Sequence, residues 1–227
     1  MGTLTPNLSA LPPRQRQIWA RLATTPKDFV LYGGTALALR LGHRESVDFD
    51  FFSSRLFQPA ELIRSIAYLA GAEITQEEAN TLSCAVPADD GLVSVSFFAV
   101  SLNQVATPDV AEGNGIAVAS LRDIFGMKCA TVPQRNEVKD YRDIHALIFQ
   151  ARIGLAEGIA AAAAIYGRQY NPVLTLQALA YFDDLPEPFP AGMKADLLAA
   201  VKSVSLQNLP RITATQRIGA GVVRASS

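Results

Sequence analysis

The sequence of 227 residues has only two cysteines and two histidines, and neither sign of charge is in clear excess. Cys84 and Cys129 are too few for a disulfide framework or a cysteine-rich zinc site. His43 and His145 cannot make a zinc site by themselves, because no suitable cysteine spacing joins them. Twenty basic residues against 21 acidic ones exclude the globally basic surface of a non-specific nucleic-acid coat, although not a local basic face.

Long apolar runs are absent as well. The longest such stretch, Gly158 to Gly167, is mostly alanine and falls far short of the roughly 20 residues that a bilayer span needs. The N-terminal residues contain no apolar run and reach arginine quickly, so no secretory signal is predicted. We therefore expect a soluble protein of a reducing cytoplasm with no membrane partner.

Apolar residues make up 49% of the chain and charged residues 18%, so the chain can bury a core of its own. Its length fits one domain, or one domain with a modest appendage. The predicted strands are Phe29 to Tyr32, Val47 to Phe52, Thr81 to Val86 and Leu92 to Val100. The predicted helices are Leu11 to Thr24, Thr35 to Leu41, Pro59 to Ala70, Ser120 toward Pro133, and Asn136 to about Gln150.

The composition changes after Arg152, where three alanine-rich helical stretches follow. We therefore predict an α+β fold, with a mixed β-sheet flanked by helices over residues 1–152 and a helical region over residues 153–227. From Leu197 to Ser227 there are no acidic residues and four basic ones, Lys202, Arg211, Arg217 and Arg224. This basic tail is weak evidence for an anionic partner, and a partly ordered, solvated tail is the preferred interpretation.

The segment Leu31 to Leu37 reads LYGGTAL and predicts a strand, a glycine turn and a helix. Glycines let the backbone approach a bound group closely, and the start of the next helix presents unpaired N–H groups. Phosphate is the ligand that uses both features. A tight turn with no ligand is the alternative, and it is the commoner one for Gly33-Gly34 taken alone.

Asp48 and Asp50 follow on the next predicted strand. Residues two apart in a strand point to the same face, so both carboxylates project together while Val47, Phe49 and Phe51 are predicted to face the core. Side-by-side acids repel each other unless a cation lies between them, and Mg²⁺ binds carboxylate and phosphate oxygens together. The alternative is an exposed strand edge with two solvated acids.

A lysine and two aspartates occupy the apolar faces of two later helices. Lys128 lies four residues after Ile124 on an apolar stripe, and Asp140 and Asp143 share the buried face of the next helix. Buried charges need partners, so a structural salt bridge between Lys128 and an aspartate competes with a role in the functional site.

Taken together, these motifs resemble the nucleotidyltransferase superfamily and, more narrowly, the AbiEii/AbiGii-type toxin family of bacterial abortive-infection and toxin–antitoxin systems. The resemblance rests on Gly33-Gly34-Thr35, Arg44-x-Ser46-x-Asp48-x-Asp50, Lys128, Lys139-Asp140-x-x-Asp143 and the segment Leu176 to Pro190, and covers roughly Phe29 to Pro190. It implies a nucleotidyltransferase-like sheet and Mg²⁺-dependent transfer of a nucleoside monophosphate from an NTP to an acceptor hydroxyl. The implied acceptor is RNA, with the 3′ end of tRNA the most specific expectation, and the implied role is a toxin with a cognate antitoxin.

The resemblance also implies roles for single residues. By the family pattern, the triphosphate falls on Gly33, Gly34 and Thr35, the Mg²⁺ ion on Asp48 and Asp50, and further catalytic roles on Lys128 and Asp140. Arg44 and Ser46 lie between the turn and the acids, where either can touch phosphate. An Arg44–Asp48 pair that only braces the loop is equally compatible with the sequence.

One departure from the family pattern concerns a third carboxylate, which many nucleotidyltransferases carry on a neighbouring strand. In this chain Ser94 and Ser96 occupy the polar face of the corresponding strand, and serine replaces a carboxylate neither as a base nor as an anionic metal ligand. Either Asp140 or Asp143 supplies the missing charge, or two carboxylates suffice, or catalysis is impaired. The missing carboxylate favours one alternative, a catalytically silent module that binds NTP or a partner. A second alternative, within the same chemistry, is an antibiotic-type enzyme with a small-molecule acceptor.

Overall fold

The computed structural model describes residues 1–135 and 137–220 and forms two compact units. Unit 1 comprises Met1–Leu102, Thr107–Ser120 and the described residues from Gln216 onward, and unit 2 comprises Asn103–Ala106 and Leu121–Thr215. This division differs from the predicted boundary near residue 152, because residues 121–152 group with the helices that follow them. The predicted helix start at Asn136 and Arg224 of the basic tail lie outside the described residues.

The strands of the described chain are β1 Thr3–Leu4, β2 Val30–Tyr32, β3 Phe49–Ser53, β4 Glu73–Glu78, β5 Thr81–Ala88, β6 Gly91–Ala99, β7 Asn103–Gln104, β8 Asp109–Ala111, β9 Ala117–Val118 and β10 Gln216–Arg217. The helices are α1 Pro13–Arg21, α2 Gly33–Leu41, α3 Pro59–Ser65, α4 Leu121–Thr131, α5 Val138–Phe149, α6 Leu155–Tyr166, α7 Pro172–Ala180 and α8 Ala191–Ser203. None of these helices is long and apolar enough to cross a bilayer.

Unit 1 is built on a mixed eight-stranded sheet in the order β1-β8-β9-β2-β3-β6-β5-β4. β2 pairs antiparallel with β3 and parallel with β9, and β3 pairs parallel with β6. The strand, glycine turn and helix predicted from the sequence appear as β2 followed directly by α2. The turn therefore lies at the end of a central strand, beside β3.

Aromatic side chains on one face of the sheet form the core of unit 1. Phe51 on β3 stacks on Phe97 of the paired strand β6 at 5.4 Å between ring centroids, and Phe29 meets Phe97 edge-on at 5.2 Å. Trp19 from α1 packs against Phe49 at 6.3 Å. Because Phe49 and Phe51 are completely buried, the alternate residues of β3 are directed to the other face of the sheet.

In unit 2, α4 and α6 approach closely through glycines. A Cβ atom at Gly126 would lie 2.9 Å from the Ala161 carbonyl carbon, and one at Gly158 would lie 2.7 Å from the Phe125 ring. Thr175 of α7 donates to the carbonyl of Cys129 in α4 at 2.6 Å. These contacts hold α4, the helix that carries Lys128, in a densely packed helical core.

Candidate active site

Gly33 and Gly34, the first two residues of α2, lie close to other predicted site residues. Gly33 has a φ of +72°, a left-handed conformation that side chains rarely adopt, and a Cβ atom there would lie 3.0 Å from Asp50 Oδ2. A Cβ atom at Gly34 would collide with the Arg44 guanidinium and approach Ser46 Oγ to 3.2 Å. The predicted phosphate turn is therefore in direct contact with three other predicted site residues.

The two glycines are expected to respond differently to alanine. Gly33→Ala should lower the free energy of unfolding by about 1–2 kcal/mol, because a side chain is strained at this φ. The Cβ atom of Gly34→Ala meets the flexible Arg44 side chain and Ser46 Oγ but causes no strain from a left-handed φ, so this variant should cost less than about 1 kcal/mol and mainly weaken NTP binding. Urea unfolding and titration with a fluorescent NTP measure the two effects. Equal loss of stability in both variants would show that the left-handed backbone conformation of Gly33 is not what distinguishes the two glycines.

Asp48 and Asp50 lie on the accessible side of β3. Asp48 is exposed and directly precedes the strand, Asp50 is half-buried within it, and Phe49 between them is completely buried. The predicted alternation therefore holds for these three residues. Val47 is 50% exposed, so its predicted place in the core is wrong; β3 begins at Phe49, and the chain before it is a loop.

The neighbouring strand presents serines beside the two acids. Asp50 is in register with Tyr32 on β2 and with Ser96 on β6. Ser96 is buried and donates to the Ser83 hydroxyl at 3.0 Å, whereas Ser94 is exposed. In residues 1–135 and 137–220, no three His, Cys, Asp or Glu side chains form a group able to hold a metal ion. A cation at this place would take two carboxylates from the described chain, and its other ligands from phosphate or water.

Thr35 fixes the loop that leads into β3. Its side chain is buried, with Oγ1 lying 2.8 Å from Ser46 Oγ and donating to the backbone carbonyl of Asp48. Since a hydroxyl carries one proton, Thr35 donates to the Ser46 hydroxyl or to the Asp48 carbonyl, one at a time. The predicted contact of Thr35 with the triphosphate stays a prediction, and the observed bonds give this residue a role in positioning Asp48.

Removing the Thr35 hydroxyl should destabilise this loop. In Thr35→Val the Asp48 carbonyl and the Ser46 hydroxyl lose a buried partner, so we expect the free energy of unfolding to fall by about 1–3 kcal/mol. Thr35→Ser keeps the hydroxyl and should cost about 1 kcal/mol or less for the lost methyl group. Chemical denaturation compares the two. If valine is tolerated as well as serine, the hydroxyl does not hold the loop.

Gln15 is a second anchor of the same loop and was not predicted from the sequence. Its Nε2 donates to the carbonyl of Val47 at 3.1 Å, and the residue is buried on α1. A signal was present, because Gln15 lies four residues after Leu11 and three before Ile18, on the apolar stripe of the helix. A polar residue in such a position calls for a buried hydrogen-bond partner.

Unit 2 contains a buried charge cluster on α4 and α5. Lys128 Nζ lies 2.6 Å from Asp140 Oδ1 and 2.6 Å from Asp143 Oδ2, and both aspartates are completely buried. The periodicity of the sequence correctly predicted that all three charges lie on inward faces. Asp140 Oδ2 has no hydrogen-bond partner in the described part of the chain. These three side chains carry one positive and two negative charges, and the Oδ2 atom of Asp140 is still open to a hydrogen bond.

The charge state of Lys128 follows from two opposing effects. Burial lowers the pKa of its ammonium group, but the negative charges of Asp143 and Asp140 and the hydrogen bonds to them raise it, and the net pKa lies above the ordinary value. Lys128 therefore stays protonated at neutral pH.

The predicted site residues fall into both units. Lys128 and Asp140 lie in unit 2, and the other seven lie in unit 1: Gly33, Gly34, Thr35, Arg44, Ser46, Asp48 and Asp50.

Comparison with known proteins gives one family and several similar folds. A family model described as "Nucleotidyl transferase AbiEii toxin, Type IV TA system" matches residues 17–205. An uncharacterized protein of Aquifex aeolicus (strain VF5) is 32% identical over 165 residues, which cover 70% of this chain and 76% of that protein.

Two solved structures are similar to the chain over most of its length. The crystal structure of JHP933 from Helicobacter pylori aligns with a TM-score of 0.54 at 19% identity and covers 83% of this chain and 87% of its own. The nucleotidyltransferase toxin MenT4 of Mycobacterium tuberculosis aligns with a TM-score of 0.50 at 17% identity. The alignment covers 85% of this chain and 83% of the MenT4 chain. At these identities the structures support the fold.

Proposed function

Because the chain belongs to the AbiEii nucleotidyltransferase toxin family, we propose that it transfers a nucleoside monophosphate from an NTP to an RNA hydroxyl in a Mg²⁺-dependent reaction. The 3′ end of tRNA is the proposed acceptor, and the cytoplasm the proposed compartment. One observation carries the proposal: Asp48 and Asp50 lie on the accessible side of β3, next to the Gly33-Gly34 turn. Carboxylates beside a glycine turn are the combination that a metal-bound triphosphate requires.

The proposed reaction displaces pyrophosphate from the α-phosphorus. The acceptor oxygen forms a bond to that phosphorus, the bond to the bridging oxygen of the β-phosphate breaks, and the hydroxyl proton is released. Asp48 and Asp50 would hold Mg²⁺, which neutralises charge on the triphosphate when it is bound. The N–H groups at the start of α2 and the Arg44 guanidinium, which lies against Gly34, are suited to bind phosphate oxygens.

Lys128 and Asp140 are assigned to the same reaction through their match to the family pattern. Within unit 2, the open Oδ2 atom of buried Asp140 supports a role in accepting a proton or a hydrogen bond. The adjacent Lys128 ammonium compensates for part of the negative charge of the cluster.

A second candidate function has an observation of its own. Ser96 occupies the position in register with Asp50 where a third carboxylate would stand, which favours a module that binds NTP without turnover. Incubation of the purified protein with each α-labelled NTP, Mg²⁺ and total RNA separates the candidates. The proposal predicts label on RNA for at least one NTP. Label on the protein alone, or on neither, would contradict an RNA acceptor.

A cognate antitoxin is proposed as the protein partner, since toxins of this family act in toxin–antitoxin systems. Co-expression with the product of a neighbouring gene should relieve the growth arrest that the toxin causes by itself. Growth arrest that persists in Asp48→Asn, Asp50→Asn cells would show that toxicity does not depend on the proposed site.

A further inference from the structure

Two pockets of unit 2 share the turn between α4 and α5 as a common wall. The larger pocket, of about 330 Å³, is lined by Arg135, Tyr141, Tyr181 and Asp184, and the smaller one, of about 90 Å³, by Tyr166, Gln169 and Tyr170. Pro133 and Gln134 line both. The larger volume lies within the range of about 300–1,000 Å³ that is typical of small-molecule sites.

Four aromatic side chains contribute to this two-pocket surface. Four of the six tyrosines of the chain line it, whereas Tyr32 and Tyr68 are buried in unit 1. The Tyr141 hydroxyl donates to the carbonyl of Ala178 at 3.3 Å, and the Tyr170 hydroxyl lies 2.8 Å from Thr175 Oγ1. These bonds fix the orientation of the two side chains, of which Tyr141 is buried.

The most accessible ring belongs to Tyr181, which is 53% exposed. Large apolar side chains exposed in this way are sites where a flat partner removes surface from water on binding. Leu174 of the smaller pocket is 49% exposed, so each pocket presents one uncovered apolar group. The proximity of Asp184 raises the pKa of the Tyr181 hydroxyl, so the ring is neutral at physiological pH.

Polar groups of three kinds surround the rings. Gln134 and Arg135 are exposed on the shared turn, and Asp184 is exposed at the larger pocket. A carboxylate accepts from the exocyclic amine of a base, a carboxamide pairs with a base edge, and a guanidinium binds phosphate. Unpaired RNA bases are recognised by this combination of aromatic stacking and edge hydrogen bonds.

We propose that the two-pocket surface binds unpaired bases of the RNA acceptor, with a base stacked on Tyr181 in the larger pocket. This inference rests on the proposed function, which makes RNA the acceptor. It adds a binding site in unit 2 that is separate from the nucleotide-binding residues of unit 1.

Fluorescence anisotropy with a labelled, unstructured 12-nucleotide RNA tests this site in the full chain. Tyr181→Ala should weaken RNA binding by about fivefold to a hundredfold, which is the usual range for loss of one stacked base. Tyr181→Phe keeps the ring and should bind within about twofold of the wild type. Leu206→Ala, which removes an exposed apolar side chain elsewhere in unit 2, is the matched control and should have no effect.

The outcomes separate this inference from the proposed function. A wild-type protein that binds no single-stranded RNA overturns both the pocket assignment and the RNA acceptor. RNA binding by Tyr181→Ala equal to the wild type overturns only the pocket assignment and leaves the surface to a protein partner. Titration with NTP in the presence of Mg²⁺ should give the same NTP affinity for the wild type and for Tyr181→Ala. A parallel loss of NTP affinity in Tyr181→Ala would contradict an acceptor site.

Discussion

Replacement of Asp48 and Asp50 by asparagine is expected to abolish nucleotide transfer and leave a folded protein. Asparagine has nearly the same size but no negative charge, so the pair can no longer hold a divalent cation against a triphosphate. Loss of several kcal/mol of charge stabilisation corresponds to a decrease in transfer rate of at least about a thousandfold. Asp48 is exposed, so its own substitution should change the free energy of unfolding by less than about 0.5 kcal/mol. Transfer of an α-labelled nucleotide measures the first effect and urea unfolding the second.

The turn between β5 and β6 offers a matched control in the same unit. Asp89 and Asp90 are exposed acids, and their double replacement by asparagine removes the same charge from unit 1. This control should transfer nucleotide at the wild-type rate. If the Asp48→Asn, Asp50→Asn protein keeps its activity, these carboxylates are not the metal site. If the control loses activity equally, net charge and not position explains the loss.

Lys128→Met is expected to cost about 3–5 kcal/mol of stability, because it removes the positive charge that the buried carboxylates of Asp140 and Asp143 share. Methionine keeps most of the length and packing of the side chain. Since ordinary domains have only 5–15 kcal/mol in total, a large part of the protein should unfold at moderate urea concentrations. Transfer activity should fall as well, and it has to be measured under conditions where circular dichroism shows the variant folded.

Because one lysine contacts two aspartates, removal of one aspartate charge provides a control for this prediction. Asp140→Asn removes one of two negative charges and leaves the Lys128–Asp143 pair balanced, so it should cost much less than Lys128→Met. Lys139→Met breaks only an exposed pair with Glu137 and should cost below about 1 kcal/mol. Addition of Asp140→Asn to Lys128→Met should recover part of the lost stability. Lys128→Met with unchanged stability would contradict a role for this ion pair in the packing of α4 and α5.

The sequence predicted those parts of the fold and candidate site that depend on local pattern. Alternation around Asp48 and Asp50 follows from a period of two residues, and the helical stripe carrying Lys128 follows from a period of 3.6. The Gly33-Gly34 pair by itself indicates the turn. The structure agrees for Phe49, Asp50 and the inward charges. The predicted family and nucleotidyltransferase fold are confirmed by the family match and the similar structures.

The remaining features depend on contacts between distant segments. Strand β4 was not predicted because Glu73–Glu78 is polar and fully exposed, so its pairing with β5 leaves no alternation to detect. Local pattern cannot show that the Thr35 hydroxyl meets the Asp48 carbonyl, 13 residues on, so the positioning role of Thr35 was not predicted. The boundary after Ser120 was missed for a similar reason. The packing of Gly126 against α6 places α4 in the helical unit.

The central claim is that Asp48 and Asp50 form a metal site beside the phosphate turn. A crystal structure of the wild-type protein with Mg²⁺ and a non-hydrolysable NTP tests it most directly. We expect the ion to lie about 2.0–2.1 Å from oxygens of both carboxylates, with the triphosphate against Gly33 and Gly34. A nucleotide bound elsewhere, or an ion that contacts neither aspartate, would contradict the claim.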